Sequence, residues 1–125
     1  MGFEIPGFKL GTQVANADLD NRYRFVTINT SAKVAQVGTA GARADGVLQT
    51  PAKSGLAAEV MVTGVTKLVA GAAIANTGPI TSDNQGRAIT ATTAGHHING
   101  IALETAAAAG EVIAVLLFYK GVVPA

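Results

Sequence analysis

HINGIALETAAAAGEVIAVLLF, residues 97–118, decides the fold class, because its four consecutive alanines can be read as the middle of a helix or as a link between two strands. Alanine is the best helix former. However, Ala106, Ala107, Ala108 and Ala109 make little more than one turn, Gly110 closes the run, and no amphipathic stripe carries it to the length at which helices are stable. The flanks, residues 98–104 and 111–119, are rich in Ile, Val and Leu. The stretch therefore reads as strand, low-relief link, strand.

An earlier segment has the same grammar. GVLQTPAKSGLAAEVMVTG (46–64) and GIALETAAAAGEVIAVLLF (100–118) both run glycine, apolar strand, Thr, an Ala-containing loop, Gly, Glu, apolar strand. Gly46 and Gly100 fall at equivalent points about 54 residues apart, a period too long and too loosely kept for a solenoid, so the two units read as related halves. Further β-like runs lie at 23–28, 33–37, 46–49, 59–69, 79–81 and 87–92, punctuated by Gly, Pro, Asn and Asp. PITSDNQGRAIT (79–90) is a hairpin. Ser82, Asp83 and Asn84 form the turn through side-chain bonds to nearby backbone, and Gly86 takes the positive φ that closes it. This many short strands in about a hundred residues predict an all-β, single-domain small barrel or sandwich.

Composition sets the function classes aside one at a time. A chain of 125 residues is one domain by size. Nine Lys and Arg are scattered against eight Asp and Glu, leaving no basic face for nucleic acid. No apolar run approaches the eighteen or so residues of a membrane span, and MGFEIPGFKL lacks the basic and apolar regions of an export signal. Cysteine is absent, which removes thiolate chemistry and Cys-based zinc sites. Charged residues are 14% of the chain against roughly a quarter in an ordinary soluble domain, so the surface suits close approach to a neighbour.

No catalytic pattern emerges. His96 and His97 are adjacent, so on an extended segment they point to opposite sides, and they read as exposed loop histidines rather than a metal pair. Asp18 and Asp20 resemble the start of a calcium loop but are followed by NRYRF, without its further ligands, and read as a solvated turn. Glu59, Glu104 and Glu111 are far apart in sequence, with no cleft aromatics to make them a glycosidase pair. GTAGARADG (38–46) lacks the phosphate-cradling spacing, and Ser31, Ser54 and Ser82 sit outside any nucleophile elbow. The expectation is a non-enzyme without cofactor or metal.

The aromatics are conspicuous by position. Phe3, Phe8, Tyr23 and Phe25 lie near the start, Phe118 and Tyr119 near the end, with none between. Residues 1–22 combine Gly2, Pro6, Gly7 and Gly11 with Phe3, Ile5, Phe8 and Leu10 and read as an extended N-terminal arm preceding a domain at 23–125. Such an arm covers apolar surface, either a partner's or its own domain's around Phe118 and Tyr119.

Residues 63–118 resemble the C-terminal half of small phage capsid cement, or decoration, proteins. The shared steps are a Val-rich strand, Ala-Gly-Ala-Ala-Ile (70–74), a Gly-Pro turn (78–79), Ser-Asp-x-x-Gly-Arg (82–87), Ile-x-Gly-Ile-Ala (98–102) and Ala-Gly-Glu-x-Ile-x-Val-x-Leu (109–117). The likeness fades toward residue 33, and residues 1–22 depart from the family's shorter leader. It implies a β-barrel or sandwich protein, made in the host cytoplasm, that binds the major capsid protein on the outside of an assembled head. It further implies trimers at local threefold positions that bridge capsomers. On that reading Phe3, Ile5, Phe8 and Leu10 are the capsid-interface candidates and Ala106, Ala107, Ala108 and Ala109 the subunit-contact candidates. The alternative is a virion-surface binding module for host glycans or other host receptors, with Tyr23 or Tyr119 as its aromatic platform.

Overall fold

The computed structural model describes residues 2, 4–11 and 13–124. Among these there are eleven strands and no helix: β1 (Ile5–Pro6), β2 (Lys9–Leu10), β3 (Phe25–Ile28), β4 (Val34–Gln36), β5 (Gly46–Leu48), β6 (Val60–Met61), β7 (Gly64–Val69), β8 (Gly78–Ser82), β9 (Ala88–Thr90), β10 (His97–Ala102) and β11 (Val112–Val122). They form two antiparallel sheets, ordered β1-β7-β11-β10-β8-β9 and β2-β6-β5-β3-β4. Of the two architectures expected, the chain is a sandwich and does not close into a barrel.

The strands stand where β-branched and apolar residues predicted them, with two differences. The single run expected over 59–69 breaks into β6 and β7, because Gly64, at φ +112°, carries the chain from one sheet to the other. Its Cβ position is filled by the backbone of Ile5 and Gly7, so only glycine fits. The second difference is the arm. Ile5 and Pro6 pair with Val65 and Gly64, and Lys9 and Leu10 pair with Met61 and Val60. Residues 5–10 thus run antiparallel to 60–65 across the corner and add a strand to each sheet. They satisfy edges that would otherwise be open.

The repeat glimpsed between 46–64 and 100–118 extends over nearly the whole chain. Phe25↔Val47, Val47↔Met61 and Val26↔Gln36 in the five-stranded sheet recur as Pro79↔Ile101, Ile101↔Leu116 and Ile80↔Thr90 in the six-stranded one. The strand order β6-β5-β3-β4 maps onto β11-β10-β8-β9. Crossing segments match too: Leu19 and Ala52 exchange backbone bonds, and so do Ile74 and Ala106. The hairpin turns are chemical copies. The Asn29 side-chain oxygen accepts from the Ser31 and Lys33 N–H groups, and Asp83 Oδ1 accepts from those of Gln85 and Arg87.

Each half carries its own apolar centre. Ala15, Leu19, Val26, Val34, Leu48, Ala52, Ala58 and Val60 form one cluster. Their counterparts Ala70, Ile74, Ile80, Ala88, Ala102, Ala106, Ile113 and Val115 all belong to the other, larger cluster. That cluster also takes in Phe25, Val47 and Met61 from the opposite face of the first half. The bond from Gln49 Nε2 to Thr66 Oγ1, 2.9 Å, shows the contact: the Phe25–Val47–Met61 face packs on the inner side of the second sheet. The halves are therefore stacked in one direction. The Phe25–Val47–Met61 row is fully buried, whereas the corresponding Pro79–Ile101–Leu116 row is exposed or half-buried.

Candidate functional site

At the corner where the arm crosses between sheets, a groove of about 470 Å³ opens, lined chiefly by apolar side chains. Phe25 and Leu117 are its buried floor. Phe8, Leu10 and Val62 come from the arm and its partner strand, and Phe118 and Tyr119 from β11. Phe8 remains 59% exposed although the chain around it is fixed: its N–H donates to Thr63 Oγ1, and its C=O accepts from Val62. Tyr119 is 46% exposed. An apolar side chain held in water by bonded backbone costs free energy unless something covers it.

The polar groups of the groove are already engaged. Asn99 Oδ1 accepts from Ala44 N–H and its Nδ2 donates to Ala42 C=O, both at 3.0 Å. Asp45 Oδ2 accepts from Ile28 N–H at 2.8 Å. The Tyr119 hydroxyl lies 2.7 Å from His97 Nδ1, and the Arg43 guanidinium sits over the Tyr119 ring at 5.1 Å. What the groove offers is apolar area rimmed by one cation.

The other candidate residues fall as follows. Ile5, in β1, is 60% exposed, while Leu10 is half-buried in the groove wall. Phe3 lies outside the described residues. The alanine run splits: Ala106 is buried and bridged to Ile74, and Ala107, Ala108 and Ala109 form an exposed, helix-free loop in which the Ala107 N–H donates to Glu111 Oε1. Glu104 Oε1 likewise accepts from Ala114 N–H at 2.8 Å, so these two carboxylates serve the backbone. Asp18 and Asp20 both meet Lys53, at 3.8 and 3.4 Å, on the surface. Among the described residues no three His, Asp or Glu side chains converge as metal ligands.

Adjacency along the chain predicts exposed loop positions for His96 and His97. Both are half-buried instead, and His97 begins β10, where Tyr119 supplies the partner that sequence did not show. Among titratable groups, Arg24 departs from the ordinary range. Burial, and then the neighbouring Arg87 guanidinium, push it below the usual arginine value, while Asp83 pulls the other way. An arginine stays charged at any accessible pH, so this marks the cost of burying it rather than a titration.

A family model described as phage cement protein matches residues 20–117. No curated protein matches. Among solved structures the chain is similar to the N base of the head fiber gp8.5 of bacteriophage phi29, with a TM-score of 0.72 and 15% identity over 89% of this chain and 95% of that one. At that identity the likeness is one of fold.

Proposed function

This chain belongs to the phage cement protein family, and from that premise we propose that it decorates the outer surface of an assembled phage head. There it binds the major capsid protein and bridges capsomers as a homo-oligomer, with a trimer favoured. The family is one of capsid-associated structural proteins.

The observation that carries it is the fixed but uncovered aromatic edge of the arm. Ile5 is held by strand pairing and Phe8 by its backbone bonds to Thr63 and Val62, and both still expose more than half their surface, beside a groove with apolar walls. Preorganised apolar groups lose little entropy on docking, so each copy gains a modest free energy that many copies on a shell multiply. Phe3, Ile5, Phe8 and Leu10 are the proposed shell contacts, and Ala107, Ala108 and Ala109 a low-relief subunit contact. The glycan alternative fares worse. A sugar needs converging free donors and acceptors, and the polar groups around Tyr119 are engaged within the chain. No catalytic role is assigned.

The test is co-sedimentation of the purified chain with cognate shells lacking it. Saturation at a fixed ratio to the major capsid subunit is expected, and Phe8→Ala weakens binding at least tenfold. Deleting residues 2–12 abolishes saturation while the sandwich stays folded. Unchanged binding by the deletion variant sinks the arm contact, and loss of folding assigns the arm to core packing instead.

A further inference from the structure

At the end of β7 away from the arm, a cleft of about 420 Å³ is lined by Asp20, Asn21, Arg22, Arg24, Pro51 and Val69. Four of the nine Lys and Arg, scattered along the sequence, meet around it. The Arg22 guanidinium stacks over the Tyr23 ring at 4.9 Å, Lys67 Nζ lies 5.8 Å from the same ring centre, and Arg24 feels the charge of Arg87. The nearby carboxylates are taken: Asp83 pairs with Arg87, and Asp20 with Lys53. Among the described residues, Arg22, Arg24 and Lys67 have no ion-pair partner.

Folding alone does not require this cluster. Arg24 Nη1 donates to Gln85 C=O at 3.0 Å, yet its Nε is buried with no partner among the described residues. Tyr23, a bulky residue, stands at φ +64°, held there because its N–H donates to Leu48 C=O and its C=O accepts from Val69 N–H. The second half builds the same backbone without such residues. Gly78 pairs with Ala102 there as the Arg24 C=O bonds to the Leu48 N–H here, so Arg22, Tyr23 and Arg24 answer to the uncharged Asn76, Thr77 and Gly78. Strained backbone and an orphaned buried donor persist where a site needs them.

We propose that this cleft is a carboxylate-binding site that takes an aspartate or glutamate side chain of the shell protein. The choice of partner rests on the decoration reading above. A guanidinium stacked on an aromatic face keeps its in-plane N–H donors free, in the fork that meets a carboxylate through two hydrogen bonds, and Arg22 is exposed in that posture. Charge selects a protein carboxylate over a phosphate or a nucleic acid. Asp20 on the cleft wall repels a dianion twice as strongly as a monoanion, and a chain of net charge +1 offers no basic track for a polyanion to follow. From Gly64, where the arm crosses, to Val69 the strand rises about 17 Å, so the cleft is a second contact point separate from the arm. Two linked weak contacts hold more firmly than either alone.

The test is an NMR titration of the nitrogen-labelled full chain with acetyl-triglutamate amide, inorganic phosphate being titrated in parallel, followed by the shell co-sedimentation described above. Arg22→Gln removes the stacked cation. Lys33→Gln removes an exposed cation in the Asn29 turn and controls for net charge, and the amide spectra verify both folds. The expected result is saturable movement of the Arg22 and Arg24 side-chain and Tyr23 amide resonances with the peptide. Arg22→Gln raises the dissociation constant about fivefold or more and Lys33→Gln less than about twofold, and affinity for shells falls in the same order. Resonances that do not move, a loss in Lys33→Gln as large as that in Arg22→Gln, or tighter binding of phosphate overturns the proposal. Peptide binding with shell affinity unchanged by Arg22→Gln overturns the shell protein as the partner. Peptide binding by a chain that takes up no shells upholds the carboxylate cleft and removes the decoration reading.

Discussion

Asp83 and Asn29 do the same job in the two hairpin turns, each accepting from two backbone N–H groups, but Asp83 does it nearly buried and also pairs with Arg87 at 2.9 Å. Removing it strands two partly buried backbone donors and a partly buried cation together. Asp83→Ala is therefore expected to lower stability by about 2–4 kcal/mol in urea unfolding, and Asn29→Ala, in an exposed turn, by about 1 kcal/mol. Behind the turns lies a second contrast. Ala32 and Gly86 occupy equivalent positions at φ +60° and +75°. Only glycine takes that conformation freely, so Ala32→Gly is expected to raise stability by about 0.5–1 kcal/mol. The Asp83 turn was legible because Ser-Asp-Asn-x-Gly is local chemistry. The Asn29 turn gives no such signal, since Asn-Thr-Ser-Ala-Lys puts an alanine where the glycine of its counterpart stands.

Among the elements, the pair Gly46 and Gly100 shows what the repeat keeps. A Cβ at Gly46 would meet Met61 C=O and Val60 Cγ1 at 2.5 Å, and one at Gly100 would meet Leu116 C=O at 2.7 Å. Alanine at either position is expected to cost about 1–3 kcal/mol by overpacking, seen as a lowered urea midpoint with an unchanged slope. The long strands were readable from runs of Val, Ile and Leu. β1 and β2 were not, because two-residue strands interrupted by Pro6 and Gly7 have no pattern of their own and exist through the partners they find on β7 and β6. The groove was equally hidden: its walls come from separate segments, and spacing along the chain says nothing about which meet. What sequence did supply was the separate prominence of Phe8, Phe118 and Tyr119, which the fold then brings to one opening.

At the scale of the whole molecule, the halves differ in autonomy. Each sheet has its own apolar cluster, but Phe25, Val47 and Met61 are buried by the sheet of the other half. A fragment ending at residue 63 is expected to expose that face and to fail to give dispersed amide resonances, whereas the intact chain unfolds in one calorimetric transition. The repeat was half visible in sequence because 46–64 and 100–118 share apolar and glycine positions. Its other half was masked by pairs such as Phe25 with Pro79 and Ile28 with Ser82, where equivalent backbone carries unlike side chains. Core volumes were exchanged as well: Leu48 and Ala58 in one cluster correspond to Ala102 and Ile113 in the other, large traded for small across neighbouring strands.

The short turn between β6 and β7 has a final consequence. Because it tethers the two repeats, their mating is an intramolecular event, at an effective concentration on the order of millimolar for so short a link. Two separate half-length chains would come apart on dilution. The joined chain does not, and a particle released from its host into an unbounded volume carries a fold whose halves stay mated however far it is diluted.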